Sequence, residues 1–394
     1  MHNSQTQFRE IYKSLKSTLG KGKKNLHEPC FSQKEIFHIN KCIRSSYVSS
    51  SGEYIEKFKK KIKQITKSKY VCCVNSATSA LHLSLVAIGI KEKDIVIIPN
   101  LNFIAAANAV KYCKASILLA DIEEETLGLD FDNLNIFFKN NVKIKNKKVF
   151  LKYNNKPIKA LILLHTFGHP ANLSKAIKFC KKYNIHLIED AAEALGSYYK
   201  QKHVGTFGDI GLISFNGNKI VTSGSGGVVM TNNKKIFDNI SHLSQVSKKK
   251  HQWKFLYDKV GYNYKMPNIN AALGYANIQN LPLFLKNKRK LFKKYEDKFK
   301  NIKNIKIFKE PKNCKSNYWL QTLLIKKSNR KKLNYFIDQL NKKGFFVRAG
   351  WTLLHEIKYL SKSFKTDLKN SIRLYNQIIS LPSSPQLLEK KNEK

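Results

Sequence analysis

From about Val71 onward, short β-branched runs alternate along the chain with stretches of helical apolar spacing. Residues 70–74 read as a strand, and 78–88 as a helix with Ala80, Leu81, Leu83, Leu85 and Val86 on or near its buried face. Further strands are predicted over 94–98 (ended by Pro99), 116–120, 160–164, 186–189 and 210–215, with helices over 103–112 and 173–183. Strands separated by helices imply a mostly parallel sheet covered on both faces. Ligands of such sheets sit beyond the carboxyl ends of the strands.

The pattern changes near Leu281-Pro282, where a long charged helix over 282–299 leads into a strand-and-helix region ending near Leu381-Pro382. At the other end, Phe8, Ile11, Tyr12 and Leu15 predict one short amphipathic helix. The expected organisation is an N-terminal extension (1–26), a large domain (27–280) and a smaller C-terminal α+β domain (281–394). Residues 140–159, rich in Lys and Asn, are expected as an exposed loop or hairpin, and 388–394 as a frayed tail. No internal repeat is visible.

A hydrophobic fraction of 42% in 394 residues excludes global disorder. Against 27 acidic residues stand 72 Lys and Arg, a formal charge of +45. Such a balance usually points to nucleic acid or an anionic surface, and a basic scaffold of that kind is the rival class. Here the lysines run through nearly the whole chain, mixed with Asn and Ile, without a basic stripe interleaved with aromatics. The expectation is therefore no nucleic-acid partner, the charge serving at most to concentrate anionic small substrates. Seven scattered cysteines without a C-x-x-C pair give neither a disulfide framework nor a metal site. No apolar run approaches the roughly 20 residues of a membrane span, and residues 1–24 lack an apolar signal core. A cytoplasmic protein without membrane contact is expected.

Candidate chemistry concentrates in Ser214-Phe-Asn-Gly-Asn-Lys219 and the following Ser223-Gly-Ser-Gly-Gly227. Lys219, just past an apolar strand, is placed to anchor an aldehyde cofactor, with Ser214 beside it as a phosphate ligand. An amine that adds to an aldehyde must be unprotonated part of the time, which burial and nearby cations favour. Asn75-Ser-Ala-Thr-Ser-Ala80 lies at a strand-to-helix junction. There Ser and Thr are ordinary N-caps, but a helix N-terminus also favours an anion by about 0.3–1 kcal/mol. Asp190 ends a strand, either as a helix cap or as the carboxylate that keeps a pyridinium nitrogen protonated. Ala191 and Ala192 leave room there for a flat ring, and Phe103 is the candidate lid. Anion cradle, aromatic lid, carboxylate and lysine in that order form a specific constellation.

These motifs resemble the DegT/DnrJ-type nucleotide-sugar aminotransferases, fold type I (aspartate aminotransferase-like) pyridoxal-phosphate enzymes, from about His27 to Ser384. The resemblance also covers His27-Glu-Pro, Val48-Ser-Ser-Ser-Gly52, His165-Thr-Phe-Gly-His-Pro170, Gly261-Tyr-Asn-Tyr-Lys-Met-Pro267 and Ser316-Asn-Tyr-Trp319. The runs F-N-G-N-K and W-T-L-L-H (351–355) are most similar to the legionaminic-acid, LegC-like branch. The resemblance implies a mostly parallel seven-stranded sheet in the large domain and pyridoxal 5'-phosphate as cofactor. Lys219 would be covalent anchor and proton shuttle, with Asp190 at the ring nitrogen. Ala77, Thr78, Ser79, Ser214 and Asn216 would surround the phosphate side, and Phe103 and Ala192 the ring faces. Glu193 stands near the cofactor hydroxyl where many relatives carry His or Gln. Asn263 would reach the neighbouring subunit's phosphate, implying a homodimer with shared sites. His165, Arg348 and His355 are the candidate substrate contacts. The implied reaction moves an amino group from L-glutamate to the C4 ketone of a nucleotide-linked 4-keto-6-deoxy-N-acetylamino sugar. UDP is the expected carrier and GDP the alternative, and a perosamine-type keto sugar is the alternative acceptor. A dehydratase relative would carry His at the position of Lys219.

Overall fold

Seven apolar runs whose side chains are buried on both faces form the central sheet of the computed structural model, which describes residues 2–389. They are β1 (Tyr70–Val74), β2 (Ile95–Pro99), β3 (Ser116–Ala120), β4 (Pro157–Leu164), β5 (His186–Asp190), β6 (Ile210–Ser214) and β7 (Gly227–Thr231). Their spatial order is β1-β7-β6-β5-β4-β2-β3, and β7 alone runs antiparallel to its neighbours. Alternate side chains enter two cores. Val71, Cys73, Ile95, Ile97, Leu161 and Leu163 face one, while Val74, Val96, Ile98, Ala160 and Ile162 face the other. Helices Glu53–Thr66, Phe131–Asn141, Leu173–Tyr183 and Asn268–Asn277 supply buried side chains to the first core. Ala77–Ala87, Ile104–Tyr112 and Lys234–Leu243 cover the second.

The predicted strands and helices form within a few residues of their expected limits, β4 starting earlier at Pro157. The 140–159 stretch is a hairpin, Val142–Lys145 with Lys148–Leu151, and it does not hang free. Its second strand pairs antiparallel with β4 through Val149 and Ile158. The N-terminal helix is longer than expected, His2–Leu19. Ile11 and Leu15 are fully buried against Leu291, Tyr295 and Phe299 of helix Leu281–Phe299.

Beyond residue 281, a four-stranded antiparallel sheet forms from Ile305–Ile307, Gln321–Ile325, Ile378–Leu381 and Arg348–Ala349. One segment of this region returns to the large sheet, Phe364–Lys365 pairing parallel with β3. Of the tail expected to fray, residues 390–394 lie outside those described. Leu388 packs on the core of the smaller sheet, and Glu389 accepts a hydrogen bond from Asn287 at 2.8 Å. Among the described residues no helix is long and apolar enough to cross a membrane.

Candidate active site

Carboxyl ends of neighbouring strands meet at a cavity of about 280 Å³. β5 delivers Asp190 and β6 delivers Ser214, while the turn after β1 delivers Ser76, Ala77 and Thr78. Lys219 sits in a loop closed by backbone bonds from Phe215 N–H to Gly226 O (2.9 Å) and from Ser223 N–H to Phe215 O (2.9 Å). Two glycines make the closure possible. Gly224 has φ +78°, and a Cβ on Gly227 would lie 2.6 Å from the Ser76 carbonyl carbon. The loop is thus pressed against the start of helix Ala77–Ala87.

That helix start is a ready anion cradle, with Ser76, Ala77, Thr78, Ser214 and Ser225 lining the cavity beside its free N–H groups. Ser79, expected among the phosphate ligands, does not line it. Its backbone N–H donates to Ser76 Oγ (3.0 Å), the N-cap of the helix, and its hydroxyl to Asn75 Oδ1 (2.6 Å), so its polar groups are spent on the helix start. Ser76, one position before the predicted trio, takes the cavity-facing place.

Opposite the cradle lie the charged groups. Asp190 is 5% exposed, and burial pushes its carboxyl above the usual range. The Ala192 N–H at 3.1 Å, Lys219 and His165 offset this only in part. Glu193 is likewise raised by burial, against the pull of Lys219 and of the Phe167 N–H, which donates to it at 2.9 Å. Lys219 Nζ is 3.2 Å from Glu193 Oε1 and 3.7 Å from the centre of the Trp319 ring. Arg348 lines the cavity from the smaller sheet; burial lowers its pKa, and Glu193 opposes the shift. Ala192 and Asn216 are also on the wall. Phe103, 53% exposed, stands as helix N-cap on the rim, its ring 6.5 Å from that of Trp351.

Two expected substrate contacts lie elsewhere. His165 does not line the cavity. It is fully buried, its Nε2 3.1 Å from Glu189 and its Nδ1 accepting the Ala171 N–H at 3.1 Å. Glu189 in turn accepts N–H bonds from Gly205, Phe207 and Gly208. Although burial raises its carboxyl, His165 and these N–H groups outweigh that and hold it low. The His165–Glu189 pair therefore supports the strand ends from behind. His355 is also off the cavity, its ring Nδ1 3.0 Å from Asn100 Nδ2 and its N–H donating to Asn100 Oδ1 at 3.1 Å. Asn263, expected to reach a neighbouring subunit, is exposed in an open groove beside Gln245, Lys248 and Lys265, outside this cavity. Sequence reasoning assigned no role to Ser76, Asn218 or Trp319, all on the wall. The motif Ser316-Asn-Tyr-Trp319 was the available signal for the last of them.

These residues suit pyridoxal 5'-phosphate. A helix-end cradle takes a phosphate, a buried carboxylate takes a ring nitrogen, a primary amine takes an aldehyde, and Ala192 leaves space for a planar ring.

The sequence model of the DegT/DnrJ/EryC1/StrS aminotransferase family matches residues 29–394. A GDP-perosamine synthase of Escherichia coli O157:H7 is 34% identical over 366 residues, 92% of this chain and 93% of that one. A UDP-4-amino-4,6-dideoxy-N-acetyl-beta-L-altrosamine transaminase of Campylobacter jejuni is 28% identical over 357 residues, 90% and 91% of the two chains. Spr1654 of Streptococcus pneumoniae, in its PLP form, superposes with a TM-score of 0.82 at 21% identity, over 92% of this chain and 94% of that one. This likeness shows the fold, which is type I. Neither of the two enzymes carries a legionaminic-acid name, so the relationship reaches the family and not the branch. The chain belongs to the DegT/DnrJ/EryC1/StrS aminotransferase family and is a pyridoxal-phosphate-dependent sugar aminotransferase.

Proposed function

We propose that the chain moves the amino group of L-glutamate to the C4 ketone of a nucleotide-linked 4-keto-6-deoxy sugar. The observation that carries this reading is the placement of Lys219 Nζ on the cavity, 3.2 Å from Glu193 and sharing that wall with Asp190. Bound pyridoxal phosphate supplies an electron sink and a carbonyl that exchanges nitrogen. The chain supplies the rest. Ser76, Ala77, Thr78, Ser214 and Ser225 hold the phosphate, and Asp190 holds the proton on the ring nitrogen. Lys219 is the covalent anchor. Once free, its Nζ takes the proton from the donor's Cα and, in the second half, delivers one to C4 of the acceptor. Arg348 is the cation available on the rim for an anionic substrate group.

The acceptor's 2-acetamido group rests on the F-N-G-N-K and W-T-L-L-H runs. A specific observation favours a second reading, a perosamine-type acceptor on GDP, namely the 34% identical perosamine synthase. We further propose a cytoplasmic homodimer. Asn263 lies outside its own protomer's cavity, and the same segment exposes Trp253, Phe255 and Val260 at 71%, 72% and 80%, which supports a role in the neighbour's site. Supplying glutamate with 4-keto-6-deoxy sugars, with and without the acetamido group, on UDP and on GDP, separates the readings by 2-oxoglutarate release. Turnover of the acetamido sugar supports the first and turnover of the plain sugar on GDP the second. No 2-oxoglutarate with any keto sugar overturns both.

A further inference from the structure

We propose that Trp319 is the positioning residue for Lys219, its indole face docking the free ammonium against Glu193. The ammonium lies 3.7 Å from the ring centre and 3.2 Å from Glu193 Oε1, so it is held between a π face and a carboxylate. Trp319 is held by one hydrogen bond through its indole and two through its backbone. Its Nε1–H donates to the carbonyl of Asn218, the residue before Lys219, at 2.8 Å. Its backbone N–H donates to Asn317 Oδ1 at 2.8 Å, and its carbonyl accepts from Lys288 Nζ at 2.9 Å. Lys288 is fully buried and also donates to the carbonyls of Tyr318 (3.3 Å) and Ser383 (2.6 Å).

Asn317 joins the two walls. While its Oδ1 holds the Trp319 N–H, its Nδ2 donates to the backbone carbonyls of Glu193 (2.8 Å) and Leu195 (2.9 Å). The backbones that carry the indole and the carboxylate are therefore tied to one amide. A buried Trp often does no more than fill space, but here a cation points at the ring of a residue only 2% exposed, where such attraction is at its strongest.

This inference rests on Lys219 being the anchor. Such a lysine spends part of each turnover free of the cofactor, and the indole face together with Glu193 gives it a defined resting place. Drawing it away then opposes the docking, which tunes how readily Nζ reacts.

The test keeps the volume and changes the π density. Tryptophan carrying one, two or three fluorines is installed at position 319 only, with Trp319→Phe and Trp319→Leu as companions. In full-length, cofactor-stripped protein, the rate at which trinitrobenzenesulfonate labels Lys219 is read by peptide mapping. We expect a stepwise rise along the fluorine series, reaching about tenfold at the end, with Phe between Trp and Leu. The rate of the glutamate half-reaction should move in the same graded order. Equal labelling across the fluorinated proteins, with only Leu differing, would show a space-filling role and overturn the proposal. If Leu fails to fold, the fluorine series still decides. A borohydride adduct on some other lysine would sink the anchor reading alone, because the labelling series addresses the docking directly.

Discussion

Glu193 Oε1 and Lys219 Nζ face each other at 3.2 Å in a pocket where the carboxylate side chain is 4% exposed and the lysine 13%. Burial raises the pKa of Glu193, as it does that of Asp190 close by. A carboxyl raised in the folded state stabilises the fold at low pH, and that contribution is lost as pH rises through the raised value. The cofactor-free protein should therefore lose stability on passing upward from the ordinary carboxylate range. Glu193→Gln, which keeps an acceptor for the Phe167 N–H, should flatten that decline. Calorimetric melting temperatures from about pH 4 to 7 check it. Parallel curves for the two proteins would refute it.

Lys219 should carry the cofactor after borohydride reduction, and Lys219→Ala should lower turnover by roughly 10²–10⁴-fold or more through loss of the proton shuttle. Peptide mapping of the reduced protein is the direct readout. An adduct elsewhere removes both roles at once.

Asp190→Asn should fold and retain some cofactor but lose most of its turnover, since the amide cannot hold the ring nitrogen protonated. Its oxygen still accepts the Ala192 N–H, so the 3.1 Å bond that places the next turn survives. Near-native turnover would exclude the pyridinium role, while failure to fold would favour a purely structural cap.

The two serines of the cradle should separate. Ser76→Ala removes a helix cap worth about 1 kcal/mol and a cavity hydroxyl, so both stability and cofactor affinity should fall. Ser79→Ala should leave cofactor affinity within about twofold, because its hydroxyl is directed to Asn75. Denaturation midpoints and cofactor titration read the two effects independently. Equal loss of affinity in both variants would return Ser79 to the phosphate.

Mixing inactive Lys219→Ala with inactive Asn263→Ala protein should restore part of the activity through hybrid dimers holding one intact site. Demonstrated subunit exchange without recovery would count against a shared site.

What the sequence revealed follows the range of the signals. Asp190, Ser214 and Lys219 were legible because each stands at or just past a strand end, where local pattern and chemistry coincide. Ser76 and Ser79 stand three residues apart in a run of small hydroxyl residues, and only the helix's orientation decides which of them lines the cavity. β7, which begins at the last glycine of the turn at 223–227, was not predicted, and its antiparallel direction has no local signature. Helix Gln33–Arg44 was missed although Ser32 and Glu35 form a capping box that the sequence displays. Trp319 was visible as the end of a motif, but its place beside Lys219 was not, since its bond to the carbonyl before Lys219 spans 101 positions. His165 lay on the wrong side of its own strand end, where Glu189 claims it.

Helix His2–Leu19 has one more consequence, in the order of events during synthesis. Phe8, Ile11 and Leu15 share a core with Leu291, Tyr295, Phe299 and Leu388, and Gln7 Nε2 bonds the carbonyl of Lys303, 296 positions away. At about 5–20 residues per second, the helix waits on the order of 15–60 s before its partner helix exists. During that interval its apolar stripe stays exposed on the nascent chain. A helix made about 280 residues before its partner thus completes a core that closes late, and chaperone cover for its apolar stripe is needed throughout that interval.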